Sequence, residues 1–163
     1  MALTIRKADE ATDQDVVWAM LEPVFRAGDT YAVDPDISRT DAMDYWFRRT
    51  PHVYLAVDHT AQGTFYIRKN YTGGGAHVCN CGFVTARGSE GKGVARAMLA
   101  FALREAKTLG FEAMQFNFVL ASNSRAIETW KRSGFSEIGR QPRAFVHPTL
   151  GYVDALILHK FLD

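Results

Sequence analysis

Apolar side chains recur along this chain in two rhythms, one helical and one alternating. In DQDVVWAMLEPVFRAG (13–28), Val17, Met20, Leu21, Val24 and Phe25 fall on one helical face. Pro23 is expected to kink or split that helix. SRTDAMDYWFRR (38–49) opens on Ser38, a good N-cap, and reads as a second helix. Residues 91–109 give the clearest helical pattern: Val94, Met98, Phe101, Ala102, Ala106 and Leu109 share a face, and Gly110 stops it. NSRAIETWKRS (123–133) predicts a fourth helix, ended by Gly134. The alternating or β-rich stretches are 3–8, 52–58, 63–71, 77–86, 112–120, FSEIG (135–139) and 151–162. TGGGA (72–76) reads as a loop, and 140–151, with two prolines, as a connection. Helices and strands alternate without repeats or an interdomain linker, which predicts one α/β domain over 1–163, a mixed sheet flanked by helices.

Composition changes this picture little. Hydrophobic residues make up 47% and charged residues 23%, the mix of a globular domain with a proper core. The net charge of +1 gives no global field for nucleic acid or an acidic membrane, so an anionic ligand must be held by local geometry. MALTIRKADEATDQ lacks a signal-peptide apolar stretch and no apolar run approaches a membrane span, so a cytoplasmic protein is expected. His77, Cys79 and Cys81 alternate on one strand, which is awkward for a metal site; buried thiols and a packed histidine are expected, and no metal. DYWFRR (44–49) carries too few charges, of both signs, for a nucleic-acid patch, and reads as a helix over a substrate cleft.

The unusual stretch is ARGSEGKGVARAML (86–99), where glycines and a lysine precede a helix. A nucleotide P-loop would need Ser or Thr after Gly-Lys, and Gly93 follows Lys92. A dinucleotide fingerprint would need a third glycine where Arg96 stands. A pyrophosphate cradle of another kind fits: glycines let backbone N–H groups face outward, the helix N-terminus adds its dipole, and Lys92 and Arg96 supply cations. An ordinary β–α turn is the competing reading. The asparagines at 80, 117 and 123 are likewise open to two readings: turn or cap chemistry, which suits Asn123 as an N-cap, or polar groups of a site.

Glu90-Gly91-Lys92-Gly93-Val94-Ala95 followed by Asn123, Ala126, Trp130, Gly134 and Phe135 resembles the paired motifs of the GNAT superfamily of acetyl-CoA-dependent N-acetyltransferases. The likeness is good over 77–139 and rests elsewhere on strand–helix order. HVCNCGFV, FNFVLASNSRAIETWKRSGF and GYVDALI resemble more closely the branch with the fungal azetidine-2-carboxylate acetyltransferases. Two positions depart from the pattern: Glu90 replaces Arg or Gln, and Trp130 replaces the tyrosine that serves many members as general acid.

The resemblance implies a twisted mixed sheet of about six to seven strands with about four helices, splayed between strands 4 and 5. It implies acetyl-CoA as co-substrate, held by Val84, Thr85, Gly91, Lys92, Gly93, Val94, Ala95, Arg96, Asn123 and Trp130. Asn80, Asn117 and Asn123 are the expected catalytic positions. The expected acceptor is a small amine, amino-acid-like or a cyclic secondary amine, acetylated directly. The alternative is a non-catalytic CoA-binding sensor. Neither nucleic acid nor membrane is an expected partner; a homodimer is compatible with the pattern.

Overall fold

The computed structural model describes residues 2–163. β1 (Thr4–Lys7) leads into α1 (Glu10–Ala27), α2 (Arg39–Trp46), β2 (Val53–Asp58) and β3 (Thr60–Lys69). A short 3-10 turn at Gly73–Gly75 occupies the expected loop. It is followed by β4 (Val78–Thr85), α3 (Val94–Thr108), β5 (Ala113–Leu120), α4 (Ser124–Arg132), β6 (Ser136–His147) and β7 (Gly151–Phe161). The strands form one seven-stranded sheet in the order β1-β2-β3-β4-β5-β7-β6. Every neighbouring pair is antiparallel except β4–β5, so the sheet is mixed, as the alternation of elements predicts.

Strand alternation sends successive side chains to two cores. Cys79, Cys81, Met114 and Phe116 face α3 and α4, meeting Val94, Met98, Leu99 and Trp130. Leu55, Tyr66 and Val84 face α1 and α2, meeting Val17, Leu21, Phe25, Met43 and Trp46. Burying each large apolar side chain contributes roughly 1.5–3 kcal/mol. Polar groups inside this second core are matched: Trp46 Nε1–H donates to Thr64 Oγ1 at 3.1 Å, and that hydroxyl donates to the Tyr54 carbonyl at 2.9 Å.

Two expectations need correcting. Pro23 does not split α1, which runs unbroken from Glu10 to Ala27. Proline inside a helix costs about 3 kcal/mol. The buried face of Val17, Met20, Leu21 and Phe25, each at most 5% exposed, outweighs that cost. The connection expected over 140–151 is instead mostly strand, because β6 continues to His147. β6 lies at the sheet edge, where a proline removes no ladder bond on the outer side. Its register against β7 slips between Gln141 and Phe145, around Pro142. Asp154 secures the irregularity, accepting the Arg143 N–H at 2.9 Å and Arg140 Nη1 at 3.2 Å.

The feature that makes a site is the parting of β4 and β5. They pair only at Val78↔Ala113 and Cys79↔Met114. Beyond those rungs the strands splay, as expected. β5 also slips against β7 between Phe116 and Val119. Val119, beyond the slip, packs against the α3–α4 core and also lines the cleft over the splay. No helix among the described residues is long and apolar enough to cross a membrane.

Candidate active site

A cleft of about 740 Å³ opens over the splay and reaches from Arg49 and Tyr45 to Ala95 and Trp130. Register decides which backbone groups face it. At the two ends of the β3–β4 ladder, Asn70 N–H donates to Val78 O at 2.9 Å and Ala86 N–H donates to Gln62 O at 2.8 Å. Between them the register is unbroken, with Arg68↔Asn80, Tyr66↔Gly82 and Thr64↔Val84. In an antiparallel pair, alternate residues direct both backbone groups to the same neighbour. Val78, Asn80, Gly82 and Val84 therefore spend theirs on β3, while Cys81, Phe83 and Thr85 turn theirs to the splay. The Phe83 carbonyl confirms it, accepting the Tyr31 hydroxyl at 3.1 Å from the cleft side. Val84, expected to hold the co-substrate, lines the cleft but turns its backbone groups to β3, whereas Phe83 and Thr85 leave theirs free toward the splay.

Asn80 and Asn117, two of the expected catalytic positions, both line the cleft. Asn80 Nδ2 donates to the Gln115 carbonyl at 3.0 Å, so a side chain bridges the strands where the backbone ladder has ended. Its Oδ1 accepts from the Tyr66 hydroxyl at 3.4 Å, and that hydroxyl accepts Arg68 Nη2 at 2.7 Å. Burial, then the neighbouring tyrosines, push the Tyr66 pKa upward, so Tyr66 stays a neutral donor. Asn117 Oδ1 accepts from Gln115 Nε2 at 3.0 Å, and its Nδ2 donates to Asn70 at 2.6 Å. Each amide is oriented by the protein and keeps hydrogen-bonding capacity for a ligand.

At the other end of the cleft, Gly88, Gly91 and Gly93 all take positive φ, of 85°, 75° and 80°. Gly93 is the N-cap of α3 and supplies no capping side chain, so the N–H groups of Val94, Ala95 and Arg96 open that helix uncapped. Oriented N–H groups and the helix dipole suit an anion. A Cβ at Gly91 would meet nothing within 4 Å, which leaves the approach to the loop clear. Of the expected loop residues, Ala95 lines the cleft; Gly91, Lys92, Gly93 and Arg96 stand exposed at its rim. The Val94 side chain is core, 4% exposed, so only its backbone can serve a ligand. Glu90 folds onto its own loop. Its carboxylate accepts the Gly88 N–H at 2.7 Å, and its own N–H and that of Gly88 hold its pKa below the usual carboxylate value, with Arg87 and Lys92 helping. The acidic departure from the motif is thus stabilised mainly by loop amides.

Asn123 is the N-cap of α4, accepting the Ala126 N–H at 3.4 Å, and also lines the cleft. Trp130, 8% exposed, forms a wall of the same cleft and packs on Phe116 and Phe83, with ring centroids 4.9 Å and 5.4 Å away. Cys81 faces the α3 core. Burial, and then Cys79, push its thiol pKa well up, which removes it as a thiolate nucleophile. Cys79 and Cys81 are free, and among the described residues no cluster of three metal-ligating side chains forms.

Three polar cleft residues escape sequence reading: Tyr31, Tyr66 and Arg68. Tyr31 lies between the first two helices, where no periodic signal singles it out. Tyr66 and Arg68 sit in a strand with ordinary β character. Arg49 belongs to the stretch read as covering a cleft, which Tyr45 and Arg49 do line.

Residues 17–135 match the Acetyltransferase (GNAT) family, and the chain belongs to that family. It is an N-acetyltransferase, an acyltransferase enzyme. N-acetyltransferase aca1 of Schizosaccharomyces pombe is 30% identical, over 80% of this chain and 71% of the relative. A GCN5-related N-acetyltransferase from Kribbella flavida superposes with a TM-score of 0.91 at 36% identity, covering 98% of each chain. A phosphinothricin acetyltransferase from Sinorhizobium meliloti, solved in complex with AcCoA, has the same fold: TM-score 0.85 at 17% identity, over 99% of this chain and 89% of that one.

Proposed function

We propose that the protein transfers an acetyl group from acetyl-CoA directly to a small, amino-acid-like amine, cyclic secondary amines such as azetidine-2-carboxylate included. The observation that carries this reading is the meeting, in one cleft, of the unpaired β4 edge at Phe83 and Thr85 with the uncapped N-terminus of α3. The residues fit the co-substrate: an extended arm can add to the free edge as a strand, and the loop amides suit a pyrophosphate. The Phe83 N–H is then the donor for the thioester carbonyl as charge develops on its oxygen. Trp130 walls the arm. The amine comes from the α1–α2 side, where Tyr66, Arg68, Asn80 and Asn117 supply polar groups and Asp29 is the carboxylate that lines the cleft. Arg49 and Arg68 on that side outnumber this one carboxylate, which favours a small acid over a polyamine or protein lysine.

Direct transfer is supported by the placement of the cleft's one thiol, Cys81, which is buried against the α3 core, where burial pushes its pKa up. The departing thiol has an ordinary pKa near ~8.5, so a strong acid at position 130 is unnecessary. Trp130→Phe is therefore expected to keep kcat within roughly tenfold, about 1.4 kcal/mol, with acetyl-CoA KM changed modestly. A loss of several orders in kcat with intact cofactor binding would assign the indole a chemical role.

The test of the whole reading is thiol release from acetyl-CoA across a panel of amino acids, cyclic amino acids, lysine peptides and polyamines. Turnover of small amino acids is expected, rising toward alkaline pH because the amine must shed its proton before attack. Binding of acetyl-CoA without turnover of any amine would make the protein a sensor. Faster turnover of peptides or polyamines would overturn the acceptor class.

A further inference from the structure

Beside the open end of the splay lies a recess of about 290 Å³, lined by Arg49, Arg68, Lys69, Asn70, Asn80 and Asn117. It holds three cations and three amides, in a chain whose net charge is only +1. Neither arginine nor the lysine forms an ion pair among the described residues, although nine such pairs occur elsewhere. A half-buried guanidinium without a counter-charge is costly unless something fixes and completes it.

Arg68 is fixed. Its Cζ lies 4.0 Å from the Tyr66 ring centroid and 5.1 Å from that of Tyr45. Nη1 donates to the Tyr45 carbonyl at 3.2 Å, and Nη2 to the Tyr66 hydroxyl at 2.7 Å. These two bonds leave N–H donors of the planar fork unspent, the arrangement that receives a carboxylate side-on. Arg49, whose Cζ is 5.5 Å from the Tyr45 ring, adds a second cation on the open side.

Position along β4 says which ligand this serves. Arg68 pairs with Asn80, and its guanidinium lies over Tyr66, which pairs with Gly82, the residue before Phe83. The α3 loop begins beyond Thr85, about 16 Å further along an extended strand from Asn80. The recess thus lies closer along β4 to the Phe83 N–H than to the pyrophosphate end. We infer that Arg68, assisted by Arg49, is the carboxylate clamp of the acceptor, so that the enzyme takes amines bearing an acid group close to the nitrogen and rejects their neutral amides. The inference rests on the acetyltransferase reading above and deepens it. Asn80, opposite Arg68, lies three residues from Phe83 along β4, about 10 Å, a gap that the reach of the arginine side chain and a small amino acid together can span.

Two measurements test it, one with turnover and one without. In thiol release, proline-type acids should exceed their carboxamides in kcat/KM by at least tenfold. Arg68→Gln should erase most of that ratio through a raised acceptor KM, with acetyl-CoA KM unchanged. Arg49→Gln, a change at an exposed position that the fold tolerates, should narrow the ratio in the same sense. A merely structural role for Arg68 would slow both acceptors alike and leave their ratio intact. In calorimetry, cyclopentanecarboxylate, which has no amine to react, should bind in competition with the acceptor, and cyclopentanecarboxamide should not. Arg68→Gln should abolish that binding. Equal use of acid and amide by the wild type, or a ratio preserved in both variants, overturns the clamp. Arg68-dependent binding of the carboxylate without turnover of any amine would keep the clamp and reject the transferase reading.

Discussion

Gly93→Val should lose acetyl-CoA affinity by a hundredfold or more while the chain stays folded. Gly93 holds φ at 80°, a conformation that β-branched residues avoid at a cost of roughly 1–3 kcal/mol. The strain falls on a surface loop, where a new Cβ would meet only Arg96 Nη2, at 3.9 Å. The core is therefore spared, and the melting temperature should drop by about 2–12 °C, as that strain predicts for a domain of this size, with the chain still folded at the assay temperature. The ligand site is not spared. Relief of the strain turns residue 93 out of the left-handed region and re-aims the N–H groups of Val94, Ala95 and Arg96, which open α3 without any capping side chain. Charge-assisted hydrogen bonds to phosphate depend on that aim, and a hundredfold corresponds to about 2.7 kcal/mol. Calorimetric titration of acetyl-CoA checks it. Gly88→Ala, strained in the same way at a φ of 85° but ahead of the helix start, is the control and should cost far less. Affinity within threefold of wild type in Gly93→Val would show that the loop amides are not the pyrophosphate site.

Much of this loop was legible in the sequence because its chemistry is local. A glycine before a helical apolar face states both the need for positive φ and the place where N–H groups are released. Asn123 was legible as a cap for the same reason, since the bond to the Ala126 N–H spans a single turn. What escaped reading depends on pairing between distant strands. Whether Phe83 or Val84 presents its backbone to the splay is settled by the rung with Thr64, twenty residues away, and nothing in GFVT announces it. The slip of β5 against β7 between Phe116 and Val119 is likewise a fact of register and not of alternation. Pro142 suggested a connection, and only the edge position of β6 makes a strand possible there. Arg68 looked like any charged residue at a strand end. Its meaning comes from Tyr45, on a separate helix, and from having no carboxylate beside it.

Gly82→Ala is the second substitution with a large expected effect, and it separates the two halves of the site. A Cβ built at Gly82 would lie 2.4 Å from Tyr66 Cε2, 2.7 Å from Cζ and 2.8 Å from the hydroxyl oxygen. Tyr66 cannot yield cheaply. It is 2% exposed, with Trp46 edge-on at 4.8 Å, Tyr45 at 6.3 Å and the Arg68 guanidinium on its face. Overpacking of this kind costs roughly 1–3 kcal/mol of stability. The functional loss should be larger in proportion, because the displaced ring carries both the platform of Arg68 and the hydroxyl that orients Asn80. Acceptor kcat/KM is expected to fall by about a hundredfold, about 2.7 kcal/mol of transition-state stabilisation. Acetyl-CoA affinity should hold within a few-fold, since the backbone groups of Gly82 are spent on β3 and the Phe83 and Thr85 edge is left in place. Tyr66→Phe keeps the ring and removes only the hydroxyl, so it should sit between wild type and Gly82→Ala, near a tenfold loss. Steady-state kinetics in both substrates, with thermal unfolding alongside, decide the matter. Equal losses in acceptor and acetyl-CoA parameters would mean that the strand itself had collapsed. Wild-type kinetics in Gly82→Ala would mean that the Tyr66–Arg68–Asn80 array has no part in holding the acceptor.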